Sequence, residues 1–317
     1  FACGICTGLM MPALTAGMQA LVRRALHGRV SSVMNAGTSI GVIVAVPAVF
    51  ILASAWRFAY TSFAVLAGIG VLAAWYFLPS VSRVVPSDAT LPPISSLQWI
   101  RLVRLSLFAF AMGFVSAAYW IFAPDLAVTL GALPPDQTGW LWLAVGIAGL
   151  GGATVADLAD RNNPPITQAL MLMMLAASLA LLAASPGQLI LAAFSALVFG
   201  MAYMSLTGLY LMTGIRLLPG RLSMGPVLPF LAVALGQAAG SPVVGLLVDK
   251  FGYADAFAIF AAIGILVATL SPLYPPYIDR QTDQEEADAG LQAAYDQQLV
   301  GPDGESLDSA TVEAKTT

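Results

Sequence analysis

The sequence predicts an all-α integral membrane protein, and three observations carry that prediction. Hydrophobic residues make up 59% of the 317-residue chain and charged residues 9%, with a mean hydropathy of +0.84. Soluble domains sit near roughly 45–50% apolar and about 25% charged, so this chain has too little polar surface to wrap a water-soluble globule. The apolar residues also gather in runs of about 20, the length that crosses a bilayer as a helix. Finally, the Lys and Arg residues fall mainly in alternate connectors between those runs.

Nine runs follow one another, at 1–21, 31–53, 59–78, 103–123, 138–156, 166–184, 188–213, 225–248 and 254–274. Lipid supplies no partners for backbone N–H and C=O groups, so each segment must satisfy its own backbone as a helix. The second run continues through Pro47 and the eighth through Pro242. Apolar sequence on both sides of each proline predicts kinks there rather than helix ends. The fifth run is marginal in length and rich in glycine.

Charge orients the helices. Arg23, Arg24 and Arg29 occupy the first connector, and Arg83, Arg101 and Arg104 the third connector and its flank. Arg161 follows the fifth run, and Arg216 and Arg221 follow the seventh. The opposite connectors hold only Arg57 and Lys250. The side with nine cations is expected to be cytoplasmic. The organisation expected is a three-helix remnant of a first half (1–79), a cytoplasmic linker (80–102), a six-helix second half (103–276) and a cytoplasmic tail (277–317). From Asp279 onward the tail has ten carboxylates and two cations. It cannot bury enough apolar area to offset its chain entropy and is expected to be disordered. The chain opens FACGIC, apolar from the first residue and without the charged start of a signal peptide. That reads as a fragment with its N-terminal helices absent. No basic patch interleaves with aromatics, so nucleic acid is not an expected partner.

The sequence repeats internally. Arg57-Phe58-Ala59-Tyr60 aligns with Lys250-Phe251-Gly252-Tyr253, each after a run that carries paired glycines and then proline: Gly37, Gly41 and Pro47 in one, Gly236, Gly240 and Pro242 in the other. The spacing equals six helices. A second match is inverted: Ala156-x-x-x-Asp160-Arg161-x-Asn163 against Gly245-x-x-x-Asp249-Lys250-x-Gly252, three runs apart and so on opposite sides. Nested three-helix inverted repeats are the mark of many secondary transporters.

These features resemble the major facilitator superfamily, whose members have twelve helices in two six-helix halves joined by a cytoplasmic loop. The resemblance spans about residues 1–276 and implies the last nine of those twelve helices. The stretch ADLADRNN resembles the family motif G-x-L-A-D-R-x-G-R-R, with Ala156 for the first glycine, Asn163 for the second and Pro164-Pro165 for the basic pair. WRFAY resembles the family's W-R-x-x-F. The family's antiporter signature has a Gly-Pro pair where this chain has Val46-Pro47-Ala48. The wider flow of the sequence resembles bacterial members without assigned substrates.

The resemblance implies a gate at Asp157, Asp160, Arg161 and Asn163, with Gly245, Asp249, Lys250, Gly252 and Arg57 on the opposite side. Asp160 can accept from N–H groups opening the next helix, and Arg161 can pair across the halves. The alternative is a solvated loop that only sets topology. The runs hold almost no mid-membrane charge; Asp125, after Pro124, is the nearest. Uncharged groups are therefore the cavity candidates. They are Asn35, Thr38, Ser116, Tyr119, Trp120, Tyr203, Thr207, Tyr210 and Gln237. Ser116, Tyr119 and Trp120 share i, i+3, i+4 spacing. Hydrogen bonding between helices is the competing role for the tyrosines, and an interfacial belt the stronger reading for Trp140 and Trp142. Cys3 and Cys6 lack companion ligands and His27 is the single histidine, so no metal site, cofactor or hydrolytic triad is expected. The chain is expected to be a monomeric, multi-pass protein of the cell's inner membrane with a cytoplasmic tail, not an enzyme. It would move a small molecule by rocker-switch alternating access, with proton coupling left open. The alternative is a transport-inactive receptor or scaffold that signals through the acidic tail.

Overall fold

The computed structural model describes residues 27–51, 55–77, 93–161, 164–185, 187–218 and 224–273, with Leu14, Gly17, Met18 and Val22 before them; over 153–161 and at a few other helical positions it describes the backbone alone. Almost all of the first expected span, most of the linker and the 277–317 tail lie outside the described residues. The rest is helical: α1 His27–Ile51, α2 Trp56–Phe77, α3 Ser96–Thr129, α4 Gly139–Arg161, α5 Pro164–Ala184, α6 Leu189–Leu217, α7 Val227–Phe251 and α8 Tyr253–Leu270. Six stretches are long and apolar enough to cross a membrane: Trp56–Tyr76, Ser96–Thr129, Pro164–Ala184, Leu189–Leu217, Val227–Phe251 and Tyr253–Leu273. In α1 the apolar stretch is shorter, Val33–Ala48.

α3 and α4 outrun the apolar runs that announce them. α3 starts at Ser96, not 103, because Ser95 and Gln98 form a capping box: the Ser95 hydroxyl accepts from the Gln98 N–H at 3.2 Å and Gln98 Oε1 accepts from the Ser95 N–H at 2.9 Å. It therefore begins inside the stretch assigned to the linker, and it continues past Pro124 to Thr129. Asp125, expected just beyond a helix end, is an exposed residue within α3. Pro47 and Pro242 are likewise internal, to α1 and α7. The stretch from Asp157 to Arg161, expected as a loop, completes α4. The helix stops there because Pro164 disfavours helical backbone in the residue before it, and Pro then opens α5, where no donor is needed.

After the linker, α3 packs along α7, α4 along α6, and α5 along both α6 and α8. Glycines set the close approaches. A Cβ on Gly236 or Gly240 of α7 would meet the carbonyls of Phe110 or Phe114 on α3, and one on Gly200 of α6 would meet the Val145 carbonyl on α4. Lipid gives no hydrophobic drive for helices to associate, so this intimate van der Waals contact does the holding. The matching pair Gly37 and Gly41 on α1 faces open space among the described residues. α2 is exposed along nearly its whole length, with Ala59 its one buried residue among those described.

The segment before the linker meets the one after it along one face of α1. Asn35 Nδ2 donates to the Met204 carbonyl of α6 at 2.9 Å. One turn on, the buried Ser39 hydroxyl abuts Gly149 of α4, and Ile43 abuts Gly146. Phe50 fills the space above Gly139 and lies 5.9 Å from the Trp140 ring. The spacing 35, 39, 43, 46 and 50 is a helical stripe, and Ser39 and Val46 are its buried members.

Candidate functional site

Where α3, α4, α6 and α7 converge, five rings and one amide come together. Trp120 of α3 stacks on Trp142 of α4 at 5.2 Å and 14°. It also meets Tyr203 and Phe199 of α6 edge-on, at 5.2 Å and 77° and at 5.5 Å and 75°. Phe199 and Tyr203 are a turn apart and stack at 5.7 Å. Tyr119 lies against the other part of Phe199 at 4.0 Å and 10°. From α7, Gln237 Nε2 donates to the Tyr203 hydroxyl at 3.2 Å.

The cluster has a dry side and a half-open side. Tyr119 and Phe199 are about fully buried, whereas Trp120, Trp142, Tyr203 and Gln237 are half-buried. None of the cluster's hydrogen bonds or ring contacts involves a charged side chain. One polar atom is left over. Trp120 Nε1 is shut off from the surface without a well-formed hydrogen bond. The Tyr203 oxygen lies within hydrogen-bonding reach of it and, while accepting from Gln237, keeps a second lone pair to offer.

The cavity candidates therefore divide. Trp120, Tyr203 and Gln237 come together at the half-open face, and Asn35 sits half-buried beside Met204 at the seam. Ser116, Tyr119, Thr207 and Tyr210 lie in the core of the bundle instead. Ser116 donates back to the Gly113 carbonyl at 2.9 Å and Thr207 to the Tyr203 carbonyl at 2.8 Å, each within its own helix. The Tyr119 hydroxyl donates to Ser195 Oγ of α6 at 3.0 Å, and Ser195 donates on to the Ser178 carbonyl of α5 at 2.8 Å. This chain of bonds ties three helices together. The Tyr210 hydroxyl is buried without a hydrogen-bond partner among the described residues. Thr38 is exposed on α1. Two residues outside the candidate list belong to the cluster. Phe199 offered no polar signal, and Trp142 was expected in an interfacial belt. Only Trp140 is exposed, at 54%. Residues two apart point to opposite sides of a helix, so Trp140 and Trp142 could not both face outward.

The two charged motifs each end a helix. Asp157, Asp160 and Arg161 fall on the last turns of α4; their side chains, and Asn163 entirely, lie outside the described residues. Gly245, Asp249 and Lys250 fall on the last turns of α7, with Asp249 and Lys250 exposed. Gly252 follows at φ +87°, its N–H donating to the Val248 carbonyl at 2.8 Å. That positive-φ, extended-ψ conformation is essentially open to glycine alone, and α8 starts at the next residue. The Lys250 ammonium lies 5.2 Å from the Phe251 ring, and the exposed Arg57 guanidinium 4.5 Å from the Trp56 ring. Among the described residues no cluster of His, Cys, Asp or Glu could hold a metal.

A family model described as Major Facilitator Superfamily matches residues 1–224. The chain belongs to the major facilitator superfamily. It is thus a multi-pass membrane protein of a family of transporters that carry small molecules across bilayers. No curated protein matches it. The match stops just before α7, but α7 is bound to α3 and α8 to α5 within the matched part. In this transporter the described site is a patch of aromatic and amide groups at the meeting of four helices, next to the α1 seam.

Proposed function

We propose that the protein is a secondary transporter that moves a small molecule by rocker-switch alternating access. The observation that carries this reading is the seam. α1 from before the linker lies against α4 and α6 from after it, through Asn35, Ser39 and Ile43 on one side and glycines on the other. A seam with one side-chain hydrogen bond among the described residues, and small residues facing it, can separate and re-form at modest cost. Beside it, Asn35, Trp120, Tyr203 and Gln237 form a mixed apolar and polar surface of the kind that holds a small molecule.

Asp160 acts in this scheme as part of a cytoplasmic gate. A carboxylate on the last turn of a helix faces the negative end of its dipole and gains from a cation or from N–H groups opening the next helix. Pro164 and Pro165 supply no N–H, so Ile166 and Thr167 are the first donors α5 can offer. The protein works as a monomer in the cell's inner membrane with its tail in the cytoplasm; coupling to protons would need an ionisable group at the site.

The test is counterflow uptake of a broad panel of labelled small molecules into liposomes holding the complete gene product. Uptake of one compound, competed by its unlabelled form, is expected. A folded protein that moves none of them would sink the transporter reading in favour of a receptor or scaffold.

A further inference from the structure

We propose that the turn joining α7 to α8 holds one phospholipid with a primary-ammonium headgroup, phosphatidylethanolamine, in a groove on the outward face of α8. The site is built from other residues than the seam and the aromatic cluster and is independent of the transport reading.

The first observation is the groove itself. An open groove of about 400 Å³ is lined by Phe251 from the end of α7 and by Asp255, Ala258, Ile259 and Ala262 from α8. Positions 255, 258, 259 and 262 share one helical face, and all four residues are exposed. The two alanines are short beside Phe251 and Ile259, which leaves room for a chain of methylenes. The second observation is depth. α7 and α8 are both long and apolar enough to cross a membrane, so the turn between them at Gly252 sits at the bilayer surface. Asp255 lies three residues past that turn, and Ala262 lies roughly 10 Å deeper at 1.5 Å per residue. A polar mouth over an apolar floor fits a headgroup over an acyl chain. The third observation is charge. Lys250 and Asp255 flank the turn and are both exposed. Among the described residues Asp255 has no hydrogen bond or ion pair, and the Lys250 ammonium keeps to the Phe251 ring at 5.2 Å, beside the groove wall. Asp255 gains from the opening of α8, which leaves its oxygens able to accept further bonds. Lys250 suits a phosphate, and Asp255 suits a cation that can donate. From α3 onward, the charged residues at this end of the helices are Asp125, Asp136, Asp249 and Asp255 against Lys250 alone. That excess of carboxylate repels an anionic headgroup. A choline headgroup carries the positive charge but has no N–H to give Asp255.

The experiment is lipid binding to the complete gene product in detergent, read by native mass spectrometry. The probes are phosphatidylethanolamine, phosphatidylcholine and phosphatidylglycerol with the same dioleoyl chains. One phosphatidylethanolamine is expected to bind about fivefold more tightly than either of the others, the upper end for an exposed ion pair. This comparison is made on the unaltered protein, so it does not depend on how a variant folds. Asp255→Asn should erase the preference over phosphatidylcholine. Lys250→Gln should weaken phosphatidylethanolamine and phosphatidylcholine alike, because they share the phosphate. Ala258→Phe should weaken all three lipids by filling the groove, and its exposed position requires no repacking of the core. The proposal is overturned if phosphatidylcholine or phosphatidylglycerol binds at least as tightly as phosphatidylethanolamine, as lipids that merely coat the helices would. It is also overturned if any of the three variants binds the lipids as the unaltered protein does.

Discussion

Asn35 of α1 donates through Nδ2 to the main-chain oxygen of Met204 on α6 at 2.9 Å, joining segments that lie on either side of the linker. Its acceptor belongs to the helix that also carries Tyr203, so the seam and the aromatic site share one element. Opening the seam at this end breaks the bond, and substrate contacts on α6 can bias whether it re-forms.

Replacing Asn35 with Leu should therefore cost about 1 kcal/mol of stability, in the range of hydrogen bonds between helices in membranes. Counterflow turnover should change while substrate KM stays within about twofold, since the lost bond differs between access states rather than between bound and free site. Thermal unfolding in detergent and counterflow kinetics measure the two effects.

Tyr119→Phe should behave in the opposite way. The substitution removes the bond to Ser195 but leaves the ring stacked on Phe199. Stability should fall by about 1 kcal/mol, with transport kinetics unchanged. Gln237→Leu, on the half-open side, should raise KM several-fold with little loss of stability. Matching kinetic losses in both variants would place Tyr119 in the substrate site after all.

The glycine pairs separate by what a methyl group would meet. On Gly236 it collides with the Phe110 carbonyl of α3, and backbone cannot give way as a side chain can. Gly236→Ala should cost about 3 kcal/mol, the upper range for overpacking. On Gly37 it meets nothing within 4 Å among the described residues, so Gly37→Ala should be within about 0.5 kcal/mol of neutral. The yield and melting temperature of each purified variant decide this.

Asp160→Asn should insert and fold normally yet slow transport, because the neutral amide holds a gate contact less firmly than a carboxylate does. Unchanged counterflow rates would leave the motif at the end of α4 a topological signal only.

Much of this was legible in the sequence, for reasons that lie in the solvent. Lipid forces helices of a set length, so the runs that became α2 and α5 to α8 could be placed to within a few residues. Helix ends were harder to place, because polar residues can cap or extend a helix: Ser95 and Gln98 lengthen α3 at its start, and Asp157 to Arg161 lengthen α4 at its finish. In the site, Trp120, Tyr203 and Gln237 were legible as polar or aromatic groups within apolar helices. Tyr119 misled because i+3 and i+4 from Ser116 fall about 100° apart on the helix; one ring entered the core and its neighbour the half-open side. Phe199 could not be told from any other core phenylalanine. Trp142 was within reach, since its opposition to Trp140 follows from helical geometry alone.

The central claim is that the α1 seam must part for transport, and a reversible lock tests it most directly. A Cβ on Gly149 would lie 3.3 Å from the Ser39 Cβ, close to the roughly 3.5–4.5 Å spanned by a disulfide. With Cys3 and Cys6 first replaced by serine, Ser39→Cys and Gly149→Cys together should give a protein that performs counterflow when reduced. Oxidation should stop it, and a reducing agent should restore it. Full cross-linking with counterflow continuing at the reduced rate would contradict the account.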